Sequence, residues 1–440
     1  MAWHVRQPHS IWPGVAPEGK PQARMASSTF PVVLALALLR SASSLASVQS
    51  SRTVAKSPSF QQFVELRGRD YVPGSAEYLK RAGLYAGAAE AVDRHNEDPS
   101  RSWTATVGKF ADYTAEERRG LHGLVHDHAG DDAAEVADGS SSMVVNLAEV
   151  RKPTFPESFS WGHLRSMKKV KDQGYCGSCW AASALKALEA NYEIAKNKSV
   201  TFSVQHLVSC AENTKHCGGT GGCHGATGDI AFQYVFEHGI LTEEQYPYMG
   251  KYEECPQSLA ATSMRATDMG MLGWERLPQN QYEPMIRTLV EVGPMVVSVA
   301  ASSGRGDVGI DLYEHGIYDY CMKDAILNHA MVLFGYGKSR HGSGATEYWH
   351  LQNSWGEDWG EEGRMRMLRR GESAQQREEL YCGVDNEPLK GSGCPGGPEQ
   401  ITVCGSCGIL FKGVFPRFSQ VAASESTAGQ PVKQRRWHIR

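Results

Sequence analysis

The chain predicts an α+β fold of two packed lobes, a helical one followed by one rich in antiparallel strand. Three observations carry this. Between residues 180 and 238 apolar side chains recur at helical spacing, whereas from 268 to 368 short apolar runs bounded by turn residues take over. The helices precede the strands instead of alternating with them, which is the order of an α+β arrangement. All eleven cysteines lie between Cys176 and Cys407, so covalent cross-links belong to this module and not to the residues ahead of it.

The elements follow in chain order. At 440 residues and 48.2 kDa there is room for two or three units with sizeable cores. An apolar run at 32–39, preceded by Arg24 and followed by small residues, has a signal-peptide shape with cleavage after Ala46 and is too short to span a bilayer. Met25 is an alternative start. Residues 59–96 are helical in character, with Phe60, Phe63, Val64, Tyr78, Arg81, Tyr85 and Val92 at three- and four-residue spacing. Residues 120–142 are rich in Gly, Ala, Asp and Ser and predict an exposed linker. His122, His126 and His128 sit there beside Asp127, Asp131 and Asp132; protonating them would offer a switch, but a solvated linker without one is the expectation. The main module begins near Pro153. It contains helices at 180–196, 203–210 and 227–238 and strands at 294–300, 330–336, 348–351 and 364–368. A Gly/Pro-rich insertion with Cys394 occupies 387–404, and residues 417–440 form a basic tail expected to be disordered. The net charge of −4 and pI near 6.5 give no electrostatic footprint for nucleic acid.

The chemistry concentrates in Gln173-Gly174-Tyr175-Cys176-Gly177-Ser178-Cys179-Trp180, directly ahead of a helix. A thiol at a helix N-terminus feels the positive end of the dipole, which favours the thiolate, and the thiolate is the nucleophile. Gln173 offers a side-chain amide to a developing oxyanion. Far downstream, His329 opens one strand and Asn353 follows another. A cysteine nucleophile needs an imidazole to take its proton, and the imidazole needs a partner to hold its tautomer. Cys176/Cys179 and Cys404/Cys407 are both C-x-x-C pairs and would also suit a zinc or redox site. Their separation of more than two hundred residues argues against zinc, and no metal or cofactor is expected.

At Cys176-Gly177-Ser178-Cys179-Trp180, Asn328-His329-Ala330 and Gln352-Asn353-Ser354-Trp355-Gly356 the chain resembles the papain family of cysteine peptidases, and from 59 to 416 further family-like pieces occur in order. His329 lies 150 residues after Cys179 and Asn353 lies 174 after it, the excess being ascribed to insertions near 302–309 and 339–346. The resemblance implies a papain-like two-lobe fold behind an N-terminal helical prosegment at 47–152. Glu77, Arg81, Tyr85, Ala88, Val92 and Asn96, and then Gly108-Lys109-Phe110-Ala111-Asp112, are similar to prosegment motifs of cathepsin L-like peptidases, with departures at Tyr85, Ala88, Val92 and Gly108. It further implies a cysteine endopeptidase with Cys179, His329, Asn353 and Gln173 as catalytic residues, made as a zymogen that its own prosegment inhibits. Protein or peptide substrates would contact Gly177, Gly225, Ala226, Thr227, Leu327, Asn328 and Trp355. Thr227 and Leu327 would form the pocket for the P2 side chain, expected to be apolar. Ala226 departs from the family's second glycine. Disulfides are implied for Cys176 with Cys223, Cys210 with Cys255, and Cys321 with either Cys382 or Cys407; the pairing of Cys217, Cys394 and Cys404 stays open. The sequon at Asn197 agrees with a secretory route to the lysosome or vacuole, or out of the cell. A monomer without stable membrane insertion is expected. The rival is a catalytically inactive scaffold of the same fold that binds peptides, which would be favoured had Cys179, His329 or Gln173 been replaced; none has been.

Overall fold

The computed structural model describes residues 56–123, 155–301, 308–341, 344–371 and 377–419. The signal-peptide run, Met25, His126, His128 and nearly all of the basic tail lie outside these residues.

Residues 59–96, expected to be helical in character, hold two helices. α1 (Phe60–Leu66) starts at Ser59, whose hydroxyl accepts the Gln62 N–H while the Gln62 side chain returns to the Ser59 backbone. α2 (Ala76–Glu97) is capped by Ser75. Between them Gly68 (φ +59) and Gly74 (φ +82) turn the chain. Tyr85, Ala88 and Val92 form the buried stripe of α2, and Tyr85 packs on Phe63 at 4.7 Å. A short strand, β1 (Trp103–Ala105), and α3 (Ala115–Gly120) complete the segment.

The helical lobe holds α4 (Cys179–Lys196), α5 (Val204–Cys210), α6 (Gly228–His238) and the short α7 (Ala266–Met269). The expected first residues of α5 and α6, Ser203 and Thr227, are the N-cap positions. The core of this lobe is built from Leu185, Leu188, Phe202, Leu207, Phe232 and Val235.

The strand lobe is a nine-stranded sheet of β1, β2 (Phe159–Ser160), β3 (Met271–Arg276), β4 (Met295–Val299), β5 (Tyr313–Tyr318), β6 (His329–His341), β7 (Gly344–Gln352), β8 (Arg364–Arg369) and β11 (Gly413–Phe418). Its order is β1-β5-β8-β7-β6-β4-β11-β3, with β2 beside β6. The lobe is not purely antiparallel: β5 and β8 pair in parallel. β1 adds the N-terminal segment to the edge of the sheet, Trp103 opposite Gly316. The insertion near 339–346 lengthens the β6–β7 hairpin, whose pairing continues from Lys338 with Glu347 to His341 with Gly344. One helix was not expected here, α8 (Tyr282–Glu291). It buries Met285, Ile286 and Leu289 at helical spacing, and Pro284 falls in its first turn, where a missing N–H does no harm.

β9 (Cys382–Asp385) and β10 (Ile401–Cys404) form a separate ribbon. Five disulfides join Cys176 to Cys223, Cys210 to Cys255, Cys217 to Cys394, Cys321 to Cys407 and Cys382 to Cys404. Cys382 is therefore not the partner of Cys321, because it faces Cys404 across the ribbon. Neither C-x-x-C pair bonds to itself: Cys404 and Cys407 belong to different disulfides, and of Cys176 and Cys179 only Cys176 is bridged, which leaves Cys179 free. Between β9 and β10 the Gly/Pro-rich insertion forms a strap to the helical lobe, where the Gly393 carbonyl accepts the Gly218 N–H at 2.8 Å beside the Cys217–Cys394 bridge.

Candidate active site

Cys179 is the first residue of α4, in contact with the positive end of an 18-residue helix. Its sulfur accepts the Ala330 N–H at 3.4 Å, which ties the helical lobe to β6. His329 opens β6, and its Nε2 donates to Asn353 Oδ1 at 2.7 Å. That bond leaves Nδ1 as the basic nitrogen, and Nδ1 has no hydrogen-bond partner. Asn353 is held in turn by its own N–H to the Gly363 carbonyl at 2.9 Å. Trp355, wholly buried, lies over His329 with ring centres 4.7 Å apart and shields the Asn353 bond from water. Gln173 is aimed by Ser354, whose hydroxyl donates to Gln173 Oε1 at 2.6 Å. Ser178, next to the nucleophile, is bonded to Tyr248, and Tyr248 donates to the Gln173 carbonyl.

The groove over these residues is occupied by residues 121–123. Gln173 Nε2 donates to the Leu121 carbonyl at 2.9 Å, so a peptide oxygen already sits at this side-chain amide. The Gly123 carbonyl accepts the Ala226 N–H at 3.2 Å. Gly225 (φ +90) permits this approach: a Cβ there would stand 2.5 Å from the Gly123 oxygen. His122 is buried between His329, 6.0 Å away centre to centre, and Trp355, and its Nδ1 accepts from Asn328 Nδ2 at 3.4 Å. Residues 121–123 are thus not part of a solvated linker, since Leu121 and His122 bury their side chains against the cleft. Phe110 meets the edge of Trp355 at 5.2 Å from the other side.

With the groove filled, burial sets the protonation states. It pushes the Cys179 thiol up to about 11, although the Ala330 and neighbouring N–H groups pull the other way. It pushes His329 down to about 4 against the opposing pull of Asn353. The thiolate favoured by the helix N-terminus is therefore disfavoured in this arrangement, where Cys179 and His329 are both fully buried.

The other expected site residues separate. The Gly177 carbonyl lies against Gly123, and Ala226 and Thr227 line the groove wall. Asn328 Oδ1 accepts the Ala301 N–H and so fixes the turn into β6. Leu327 is sealed in the strand-lobe core. Asn197 is exposed at the C-cap of α4 in the left-handed conformation. Ser354, Tyr248, His122 and Gly123 were not legible as site residues: each acts through a contact between segments far apart in sequence.

The papain family cysteine protease profile matches residues 155–391. The cysteine endopeptidase RepA of Oryza sativa subsp. japonica is 32% identical over 71% of this chain and 77% of its own length. Cathepsin L1 of Drosophila melanogaster is 32% identical over 67% of this chain and 74% of its own. Among solved structures, the digestive procathepsin L2 proteinase from the larval midgut of Tenebrio molitor is 25% identical, with a TM-score of 0.59 over 81% of this chain and 98% of that one. The ragweed pollen cysteine protease Amb a 11 in its proform superposes with a TM-score of 0.61 at 23% identity, over 84% of this chain and 88% of that one. The chain belongs to the papain family of cysteine proteases. Its cathepsin L-like relatives place it among the cysteine-type endopeptidases.

Proposed function

We propose that residues 56–123 belong to an inhibitory prosegment and that its withdrawal starts a thioester mechanism at Cys179. Water returning to the groove lowers the cost of separating charge, and the proton passes from Cys179 to His329 Nδ1. The thiolate forms a bond to the scissile carbonyl carbon. Its oxygen takes the negative charge and receives hydrogen bonds from Gln173 Nε2 and the Cys179 N–H; losing one such donor raises the barrier by roughly 3–4 kcal/mol. His329 gives its proton to the leaving nitrogen as the C–N bond breaks, then takes one from the water that displaces the sulfur. Asn353 keeps the imidazole in the tautomer that this cycle requires. The observation that carries the reading is the Leu121 carbonyl at Gln173, a peptide group already lodged where an attacked carbonyl would be.

Five disulfides are in keeping with folding in the secretory pathway. Within it we place the enzyme in the lysosome or vacuole or outside the cell, glycosylated at the exposed Asn197 and working as a monomer on protein or peptide substrates. An epoxysuccinyl thiol inhibitor added before and after acid treatment tests the reading: Cys179 is expected to be labelled only after the prosegment has gone. Cys179→Ser is expected to abolish peptide hydrolysis and leave the thermal midpoint within a few degrees of the parent. Full hydrolysis by that variant, or no labelling in either state, would sink the proposal.

A further inference from the structure

One residue beyond Ala226 a groove of about 1030 Å³ begins, with Thr227, Asp229, Trp274, Arg276, Pro388 and Lys412 among its walls. Its relation to the cleft is set by two consecutive residues. Ala226 donates its N–H to the chain crossing Cys179, and Thr227, the next residue, is already groove wall. A side chain of an extended substrate paired at Ala226, the P2 side chain, is therefore delivered to this space. The disulfide-stapled strap closes one side through Pro388 and Cys394.

The charge in the groove is unusual for an apolar pocket. Asp229, in the first turn of α6, is 4% exposed and meets two cations, Arg276 Nε at 2.5 Å and Lys412 Nζ at 3.3 Å. One carboxylate balances one of them. Elsewhere along the groove Lys215 and Arg265 are matched in number by Glu212 and Glu237, so the surplus positive charge lies at the Asp229 end. The Lys412 side chain is about four-fifths buried, which weakens its screening by water. The Arg276 side chain is more than half exposed at the rim, with free N–H groups toward an incoming anion. A substrate carboxylate would gain charge-assisted hydrogen bonds here, whereas a lysine or arginine would meet like charge.

Resting on the protease reading above, we propose that Lys412 and Arg276 make this enzyme select peptides with glutamate or aspartate at P2, in place of the apolar side chain expected from Thr227 and Leu327. The test uses the full-length chain matured by its own acid processing, with fluorogenic peptides that share one P1 residue and carry Glu, Leu or Lys at P2. The expected kcat/KM for Glu is about tenfold above Leu, with Lys lowest. Lys412→Met, which keeps the aliphatic stem, is expected to lower the Glu-to-Leu ratio about tenfold, and Lys412→Glu to raise the Lys peptide above the Glu peptide. A parent enzyme that prefers Leu over Glu, or a ratio unmoved by Lys412→Met, overturns the inference; the parent profile needs no variant and so does not depend on folding of the mutants. Absence of both cleavage and epoxysuccinyl labelling would instead sink the protease reading and take this inference with it.

Discussion

Gly123 shows how much one missing methyl group can decide. A Cβ at this position would stand 2.1 Å from the Gly177 carbonyl oxygen and 2.9 Å from the Cys179 sulfur, both fixed by the lobe beneath. No rotamer relieves a clash with backbone, so the leader must lift. Gly123→Val is therefore expected to leave the uncleaved chain open to epoxysuccinyl labelling at neutral pH, where the parent stays unlabelled. A variant as protected as the parent would show that residues 121–123 do not block the thiol. A second residue-scale case lies behind α4. Glu189 is fully buried and holds Lys186 at 2.6 Å, Lys171 at 2.9 Å and the Phe202 N–H at 2.9 Å. Removing the acid leaves Lys186 buried without a counter-charge, which typically costs about 3–5 kcal/mol. Glu189→Ala in a Cys179→Ala background is expected to lose stability of that order on urea unfolding, and a loss below 1 kcal/mol would contradict the assignment.

At the scale of elements, α2 and α3 are joined by one guanidinium. Arg81 reaches Glu77 and Glu117 and donates to the Asp112 carbonyl, while Asn96 at the far end of α2 makes paired bonds to the Ala105 backbone. Arg81→Ala removes the donor to the Asp112 carbonyl and leaves Glu117 only its capping bond from the Thr114 N–H, and is expected to loosen α3 by roughly 1–2 kcal/mol. Faster hydrogen exchange over 115–123 with unchanged exchange in α4 would verify it; equal exchange in both would not. These elements also mark what was legible in the sequence. Arg81 and Asn96 stood out because they match the prosegment motif of cathepsin L-like peptidases, and Cys179, His329 and Asn353 because each flanks a strongly patterned element. α8 was obscured, since Pro284 and the run Leu289-Val290 carry no helix signal of their own and only packing on the sheet decides the matter. The strap and its Cys217–Cys394 bridge were not legible either, because a pairing 177 residues apart depends on how the lobes meet. The same holds for Lys412 and Asp229, on β11's lead-in turn and on α6, which only the tertiary fold brings within 3.3 Å.

Taken whole, the N-terminal segment is joined to the rest of the molecule by ion pairs around one buried histidine. Leader cations face carboxylates of the catalytic module: Arg67 and Lys109 on Asp358, Lys109 on Asp172, and Arg118 on Asp311. At the centre of this contact, burial holds His122 down to about 3, helped by the nearby His329 ring and the Arg118 charge. The geometry agrees, because Nδ1 of His122 accepts from Asn328 and would meet a donor with a donor if protonated. Released into water the same ring titrates near 6.5. Between about 6.5 and 3 the undocked leader therefore binds a proton that the docked leader refuses, so docking is full at higher pH and weakens as pH falls, by about 1.4 kcal/mol per unit. At pH 4.5 this amounts to about 2.7 kcal/mol, or about a hundredfold in the undocked fraction. Glu117 acts later and in the same direction: its bond to Arg81 holds it at about 2 against an ordinary 4.5, so its support is present above 4.5 and fades below it. Hydrogen exchange of residues 115–123 in the Cys179→Ala chain, which lacks the thiol, is expected to rise steeply between pH 6 and 4.5, inside the span where His122 changes its proton on release. His122→Met keeps an apolar side chain against Trp355 and removes the titrating ring, so it is expected to move that rise at least about one unit lower. If the variant opens at the same pH as the parent, His329, held down to about 4 by the same burial, controls release and His122 is only a packed side chain.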